Sequence, residues 1–597
     1  MKSNRAYLTI LIVVLLISFP HSNLLCYTEN DTLAVVNGQP ITGDDFENRF
    51  ELTVYPGKDI SDNLYEAKKG FLHSMVAEKL LSNSASMQKT FQGESQVKKQ
   101  MERIFLRDAL YRKEVLPKAK ITKTEISNGI KLSNYLYVVD VFYMPDSSAA
   151  KLFYKTVTGK DSKNIDMVVD SLHIQHDTLQ IGYGESTEKI EKSFFGNNTG
   201  FISKPAFTED GWVVFKILHR ELNKKYTDPT SVDREEMVRK VIEERRQIEQ
   251  GYKYLMSVMK GVDVKVNYEI FRPLVHSIKD LLSYHSPTTY DPYYYLNSSE
   301  VVLLKEKFNP QLSSPMLQFK DGELNLEDVF DQLPLSGFAP KDTSLGVITE
   351  SLHAALRFMA QNHFLEQRAI KLGLENSGEV KYNVQMFLDA FRSAKLADEI
   401  TDTVKVTSRQ VTEFFENHKD EVLKEVKLQL QIFRIKNIDE AASQLNRLNK
   451  IKDNPEDTTG STWVSASRLG ELGAVLAELK NGSTYGPVYM DSTFTIYRVI
   501  DKKMSVTKAA VENSIQAARD MLLAKTKSDV LNKYVAKLAE GQNVKLYQNR
   551  LSNLQVTPIE MLTFRYIGFG GKILAVPALY PREDWVKDYK KPENVIP

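Results

Sequence analysis

Residues Pro205–Arg220 read PAFTEDGWVVFKILHR, and residues Pro487–Lys502 read PVYMDSTFTIYRVIDK. Aligned without a gap, proline meets proline, and the pairs Phe207/Tyr489, Trp212/Phe494, Phe215/Tyr497 and Lys216/Arg498 keep their chemical type. A chain that repeats a proline-led strand over such a distance calls for a search for further copies, because an overlooked repeat misreads the whole fold.

Two further landmarks repeat in the same order. Leu33–Phe46 carries Val35-Val36-Asn37-Gly38-Gln39-Pro40-Ile41-Thr42, and Leu317–Val329 carries Phe319-Lys320-Asp321-Gly322-Glu323-Leu324-Asn325. Asn-Gly and Asp-Gly supply the positive φ angles of a tight hairpin turn. Thr42 and Asn325 are good N-caps, and the acidic residues behind them suit the positive end of a helix dipole. Gly261–Val266 parallels Gly541–Leu546, each after a long charged helical pattern. The chain therefore reads as two units, 33–270 and 316–550, expected to superpose. In each, a hairpin feeds helices (Gly70–Met87 and Glu350–Leu372), an α/β segment follows, and a long helix and a strand close the unit. Alternation in Tyr135–Tyr143 and Leu428–Ile435 predicts strands with one buried face. On the first closing helix, Met237, Val241, Ile248, Tyr252, Leu255 and Met259 form an amphipathic stripe, expected to pack on the unit's own early helices.

Composition fits this reading. A chain of 597 residues is too long for one core, and 42% hydrophobic with 26% charged residues is ordinary for globular domains. A net charge of +1, without a basic cluster interleaved with aromatics, argues against nucleic acid as a partner. Lys2 and Arg5 precede an apolar run from Leu8 to Phe19, the pattern of a cleavable export signal and too short for a mature span. Cleavage is expected near residue 26, giving an exported protein of the periplasm or cell envelope; an N-terminal anchor and a lipidated Cys26 are the rivals. Leu25 is large where lipid modification wants a small residue. Cys26 is the single cysteine, so a mature chain beginning at Tyr27 has no thiol, which excludes disulfides, zinc–thiolate sites and cysteine nucleophiles.

Leu33–Phe46 resembles the N-terminal segment of SurA-, PpiD- and PrsA-type folding factors. In that family, helices from both ends of a unit form a chaperone module around an inserted parvulin domain. Thr459-Gly460-Ser461-Thr462-Trp463 resembles the parvulin glycine-rich turn and aromatic, Gly482–Val488 resembles its turn before the last strand, and Thr199–Leu218 is the corresponding match in the first unit. The resemblance implies an α+β, multidomain fold of two tandem units, each with a helical chaperone-type module and an inserted parvulin-like α/β-sheet domain. The implied division is a signal peptide at 1–26, helical module 1 at 27–120 and 223–270, and a parvulin-like domain at 121–222. A linker at 271–315 then leads to helical module 2 at 316–403 and 504–550, a second parvulin-like domain at 404–503, and a tail of unassigned role at 551–597.

Parvulins carry two histidines at the sheet centre, on the first and last strands. Carried over by motif, the first-strand position reads Asp140 and Gln431, and the last-strand position reads Val213 and Thr495, so the histidines are missing in both domains. Asp140, Gln431 and Thr495 are the remaining catalytic candidates; Asp140 reads equally as a surface acid. Phe142, Phe207, Trp212, Phe433, Tyr489 and Phe494 are candidates for a client-binding groove or for the core. No cofactor is implied, since prolyl isomerisation lowers a rotational barrier without a covalent step. His173 and His176 head toward a strand and glycine turn rather than a helical metal pair, and no metal site is expected. The expected activity is an energy-independent chaperone for unfolded or nascent envelope proteins, with other envelope assembly components as further partners. The alternatives are an active prolyl isomerase with substituted residues and a structural subunit of an envelope complex.

Overall fold

The computed structural model describes residues 32–590, apart from short internal stretches of which the longest are 224–231, 286–292, 449–458 and 506–513, together with the backbone of Val595–Ile596. The expected signal segment lies outside the described residues. The fold is mixed α+β and multidomain: the described residues of 110–260 form one compact unit, and those of 32–109 and 261–596 form the other.

The chain opens with the hairpin β1 (Thr32–Val36) and β2 (Gln39–Thr42). Asn37 and Gly38 take φ of 51° and 78°, as a tight two-residue turn requires. Thr42 accepts the Asp45 N–H while the Asp45 carboxylate accepts that of Thr42, a capping box that starts α1 (Gly43–Leu52). Two long helices follow, α2 (Leu64–Gln88) and α3 (Glu94–Glu114).

In the unit 110–260, α4 (Lys123–Leu132) precedes β3 (Tyr135–Met144), α5 (Ser147–Thr158), α6 (Ile165–Leu172), β4 (His176–Ile181), α7 (Glu188–Phe194), β5 (Ala206–Thr208), β6 (Gly211–Leu222) and α8 (Val232–Met259). The antiparallel sheet has the order β4-β3-β6-β5. Its alternating side chains feed two cores: Tyr137, Val139 and Val141 meet Phe194 of α7, whereas Phe142, Met144 and Val214 meet Phe153 of α5 and Val168 and Val169 of α6. Helix α8 is tied to this domain by Arg245, whose guanidinium lies 2.7 Å from the buried Glu191 carboxylate. It crosses α4 closely at Gly129, where a Cβ would lie 2.5 Å from Val238 Cγ1.

The other unit continues with β7 (Lys265–Val266), α9 (Tyr268–Leu282), α10 (Ser298–Lys307), β8 (Pro315–Phe319), β9 (Gly322–Asn325), α11 (Leu326–Gln332) and α12 (Leu345–Lys371). Asn325 caps α11 through the Asp328 N–H, as expected. Within 271–315, expected to be a linker, the described residues hold most of α9 and all of α10. Ile270, Phe271, Leu274, Val275, Ile278 and Leu282 share one face of α9 and bury against Leu352, Leu356 and Met359 of α12. Then come α13 (Gly378–Asp402), α14 (Ser408–Asn417), β10 (Glu425–Ile435), β11 (Thr462–Ser465), α15 (Glu471–Glu478), β12 (Thr484–Met490), β13 (Thr493–Ser505), α16 (Ser514–Gly541) and β14 (Lys545–Tyr547). The second antiparallel sheet has the order β11-β10-β13-β12, in strand sequence the same as the first.

The two hairpins exchange closing strands. β1 pairs with β14 from the far end of the chain, with Ala34 opposite Leu546, and β8 pairs with β7, with Leu317 opposite Val266. The cause lies in the helices beside these strands. α9 follows β7 at once and buries its apolar face against α12, which holds β7 beside the second hairpin. α16 buries Val535, Ala536 and Ala539 in the core formed with Phe71, Val76 and Leu80 of α2 and Leu396 of α13, which brings β14 to the first hairpin.

The tail adds β15 (Phe564–Tyr566), β16 (Lys572–Leu574), α17 (Trp585–Asp588) and β17 (Val595–Ile596), the last pairing in parallel with β14. It is stitched to the early helices. Lys68 donates to the Leu554 carbonyl at 2.6 Å, Arg49 to that of Pro577 at 3.2 Å, and the Trp585 indole to that of His73 at 3.1 Å. Asp108 accepts the Gly568 N–H and the Arg565 guanidinium. Burial holds the His73 imidazole down at about 4.

Candidate functional site

The two sheets agree residue by residue. One constant offset carries β3 onto β10, and a second carries β5–β6 onto β12–β13. Asp140 opposite Lys216 becomes Gln431 opposite Arg498, Tyr143 opposite Val213 becomes Arg434 opposite Thr495, and Phe207 opposite Trp212 becomes Tyr489 opposite Phe494. The register irregularity also recurs at the equivalent place, between Val138 and Val139 and between Gln429 and Leu430. A shared bulge fixes twist and facing, so the sheet centres are directly comparable.

In the first sheet, Asp140 accepts a hydrogen bond from Thr178 Oγ1 at 2.6 Å and sits opposite the partly exposed Lys216, whose Nζ is 3.8 Å from Asp166. In the second sheet, the Gln431 amide donates to the Thr459 carbonyl at 2.9 Å and accepts from Arg498 Nη1 at 3.4 Å. Here both groups are sequestered, with exposures of 6% and 2%. The first polar centre is therefore open to solvent and the second is closed.

The last-strand positions do not join them. Asp140 shares a sheet face with Phe142, whereas Val213 is buried on the other face among Val139, Val141 and Phe215. Gln431 likewise shares the face of Phe433 and Ile496, whereas the buried Thr495 lies on that of Tyr497. Neither pair converges on one point. The side chains of β3 that share the Val213 face, Val139, Val141 and Tyr143, bring no carboxylate, imidazole or amine to it.

The aromatic candidates also divide. Phe142 is core, filling the space between β3 and Phe153. Phe433 and Phe494 are half-buried against Ile496, and the side chain of Tyr489 lies outside the described residues. Phe207 is 57% exposed and lies against Trp212 with ring centroids 5.5 Å apart and planes tilted by 56°, at the edge strand β5. Leu152, Met167 and Leu172 are also exposed, on the outer faces of α5 and α6. Sequence reasoning missed these three, although the apolar residues of IDMVVDSL exceed what one buried stripe of α6 needs. On α8 the expected stripe divides: Ile248 and Tyr252 are exposed together with Met256, one turn apart each, while Leu255 and Met259 are half-buried. His173 ends α6 in a left-handed conformation and His176 begins β4 beside Phe142, so the two are set apart by the strand start. Among the described residues no three metal-capable side chains cluster, and no helix is long and apolar enough to cross a membrane.

No family model and no curated protein matches the sequence. A solved structure described among SurA-like chaperones of Campylobacter jejuni, the virulence factor PEB4 and the periplasmic protein Cj1289, aligns with 41% of this chain and 94% of its own at 18% identity. Its TM-score is 0.17.

Proposed function

We propose that this is an exported folding factor of the cell envelope that holds unfolded polypeptides, with two parvulin-like sheet domains kept for binding rather than for catalysis. The observation that carries the reading is the separation of Asp140 from Val213, and of Gln431 from Thr495, on opposite faces of their sheets. Accelerating amide rotation requires interactions made in the transition state and absent from the ground state. The Val213 face is buried and brings no carboxylate, imidazole or amine to the sheet centre. Apolar burial, by contrast, holds a client without any catalytic group, at roughly 25 cal/mol per Å². Exposed Phe207, Leu152, Met167 and Leu172 give the first sheet domain such surface. The sequence resemblance to SurA-, PpiD- and PrsA-type factors and the signal-like N-terminus support the envelope location, with unfolded envelope proteins and assembly components as partners.

The full mature chain, residues 27–597, tests this in two parallel assays, suppression of aggregation of an unfolded outer-membrane protein and protease-coupled prolyl isomerisation. The expected result is suppression with no isomerisation above the spontaneous rate. Isomerisation that is lost in Asp140→Ala or Gln431→Ala refutes the reading in favour of an enzyme with substituted groups. Absence of both activities favours a structural envelope subunit.

A further inference from the structure

We propose that the outer edge of β14 is a strand-addition site for an extended apolar peptide segment, and that the C-terminal strand β17 of the same chain fills it in the resting protein. The inference stands on the geometry of the terminal sheet and does not depend on the chaperone reading.

The sheet has the order β17-β14-β1-β2. On its inner side β14 is fixed, since it pairs with β1 and completely buries Leu546, and the preceding residue Val544 is buried too. On its outer side it meets β17 over two positions, Leu546 with Val595 and Tyr547 with Ile596, in parallel. A well-anchored strand with an outward row of N–H and C=O groups is a template for another chain. Parallel pairing is slightly weaker per residue than antiparallel pairing, and each hydrogen bond contributes little net of its exchange with water. Among the described residues the edge is covered at two positions, and so short a parallel pairing is displaceable.

A second feature lies beside the edge, over the β1–β14 pair. Alternate residues of β14, Lys545 and Tyr547, join Thr32, Val35, Gly38 and Asn543 around a pocket of about 270 Å³. It opens on the face away from the buried Leu546. Strand-addition sites combine a main-chain ladder, which gives affinity, with pockets for alternate side chains, which give selectivity. The ladder is present at the outer edge, and the pocket adjoins it over the β1–β14 pair, where Val35 sits opposite Lys545. The guest is an extended segment running parallel to β14, with β-branched apolar residues like Val595-Ile596 of the chain itself.

The probe is a fluorescein-labelled peptide of the last six residues, PENVIP. Its binding is followed by fluorescence anisotropy to the full mature chain and to a chain ending at Lys590. A tethered strand competes at an effective concentration in the mM range. The shortened chain should bind the peptide saturably, and the full chain at least about tenfold more weakly. Ile596→Pro in the full-length chain should match the shortened chain, and it serves alone if truncation prevents folding. N-methylation of the peptide's valine and isoleucine amides should abolish binding, as a main-chain ladder demands. Equal binding to both chains, no binding to a folded shortened chain, or indifference to N-methylation overturns the proposal. So does a full-length dimer that truncation dissolves, which would make a second copy the occupant.

Discussion

Trp585→Ala should loosen the core of α2, α13 and α16 while sparing that of α9 and α12. Trp585 is fully buried in the core shared by α2, α13 and α16, its ring 6.3 Å from that of His73 and 5.7 Å from that of Tyr589, and its indole N–H satisfies the His73 carbonyl. Truncating a buried tryptophan costs about 3–5 kcal/mol through lost transfer energy and the cavity left behind. A value of about 4 kcal/mol corresponds to roughly a thousandfold faster exchange for amides protected by opening of that core. Hydrogen exchange resolved by mass spectrometry suits a chain of several domains, for which one global unfolding energy is not defined. Peptides from α2 and α16 should lose protection, and peptides from α9 and α12 should keep it. The same variant tests the histidine. Burial lowers the His73 pKa from 6.5 to about 4, so the unfolded chain binds a proton that the folded one refuses. The associated stability, about 3 kcal/mol, is complete above pH 6.5 and is lost as pH falls toward 4. Opening the site to water in Trp585→Ala should remove most of that acid dependence. Uniform loss of protection in both cores, or an unchanged acid dependence, would refute the assignment of the tail as a structural strap.

The exchange of closing strands can be tested by paired cysteines, since Cys26 is the chain's only thiol. Val35→Cys with Lys545→Cys, and Lys265→Cys with Gln318→Cys, should each form a disulfide on mild oxidation, whereas Val35→Cys with Lys265→Cys should not, as read by mobility on non-reducing gels. Asp108→Ala removes the acceptor shared by Arg565 and Gly568 and should cost about 3 kcal/mol, seen as faster tryptic cleavage at Lys572. Gly129→Leu should destabilise the α4–α8 contact by about 1–3 kcal/mol through overpacking against Val238, measurable as lost exchange protection in α8. Phe207→Ser combined with Leu152→Ser and Met167→Ser should weaken client retention in the aggregation assay without lowering thermal stability, because all three side chains are exposed.

The repeated strand, the hairpin turns and the helix caps were legible because their causes are local. Asn37-Gly38 has few alternatives to a tight turn, Thr42 and Asp45 satisfy each other across three residues, and the alternation of β3 and β10 follows from the period of a strand. The aligned stretches beginning at Pro205 and Pro487 even gave the correct register, since Phe207/Trp212 and Tyr489/Phe494 occupy equivalent pairs. Facing was harder. Asp140 and Val213 lie on different strands, and shifting either by one residue moves a side chain to the other face, so motif matching could not tell a converging pair from an opposed one. The closing strands, the helices α9 and α10 and the strap that ends in Trp585 were decided only by tertiary structure. Two similar hairpins can accept either closing strand by backbone pairing. The choice falls to the apolar faces of α9 and α16, which bury against partners far away in the sequence.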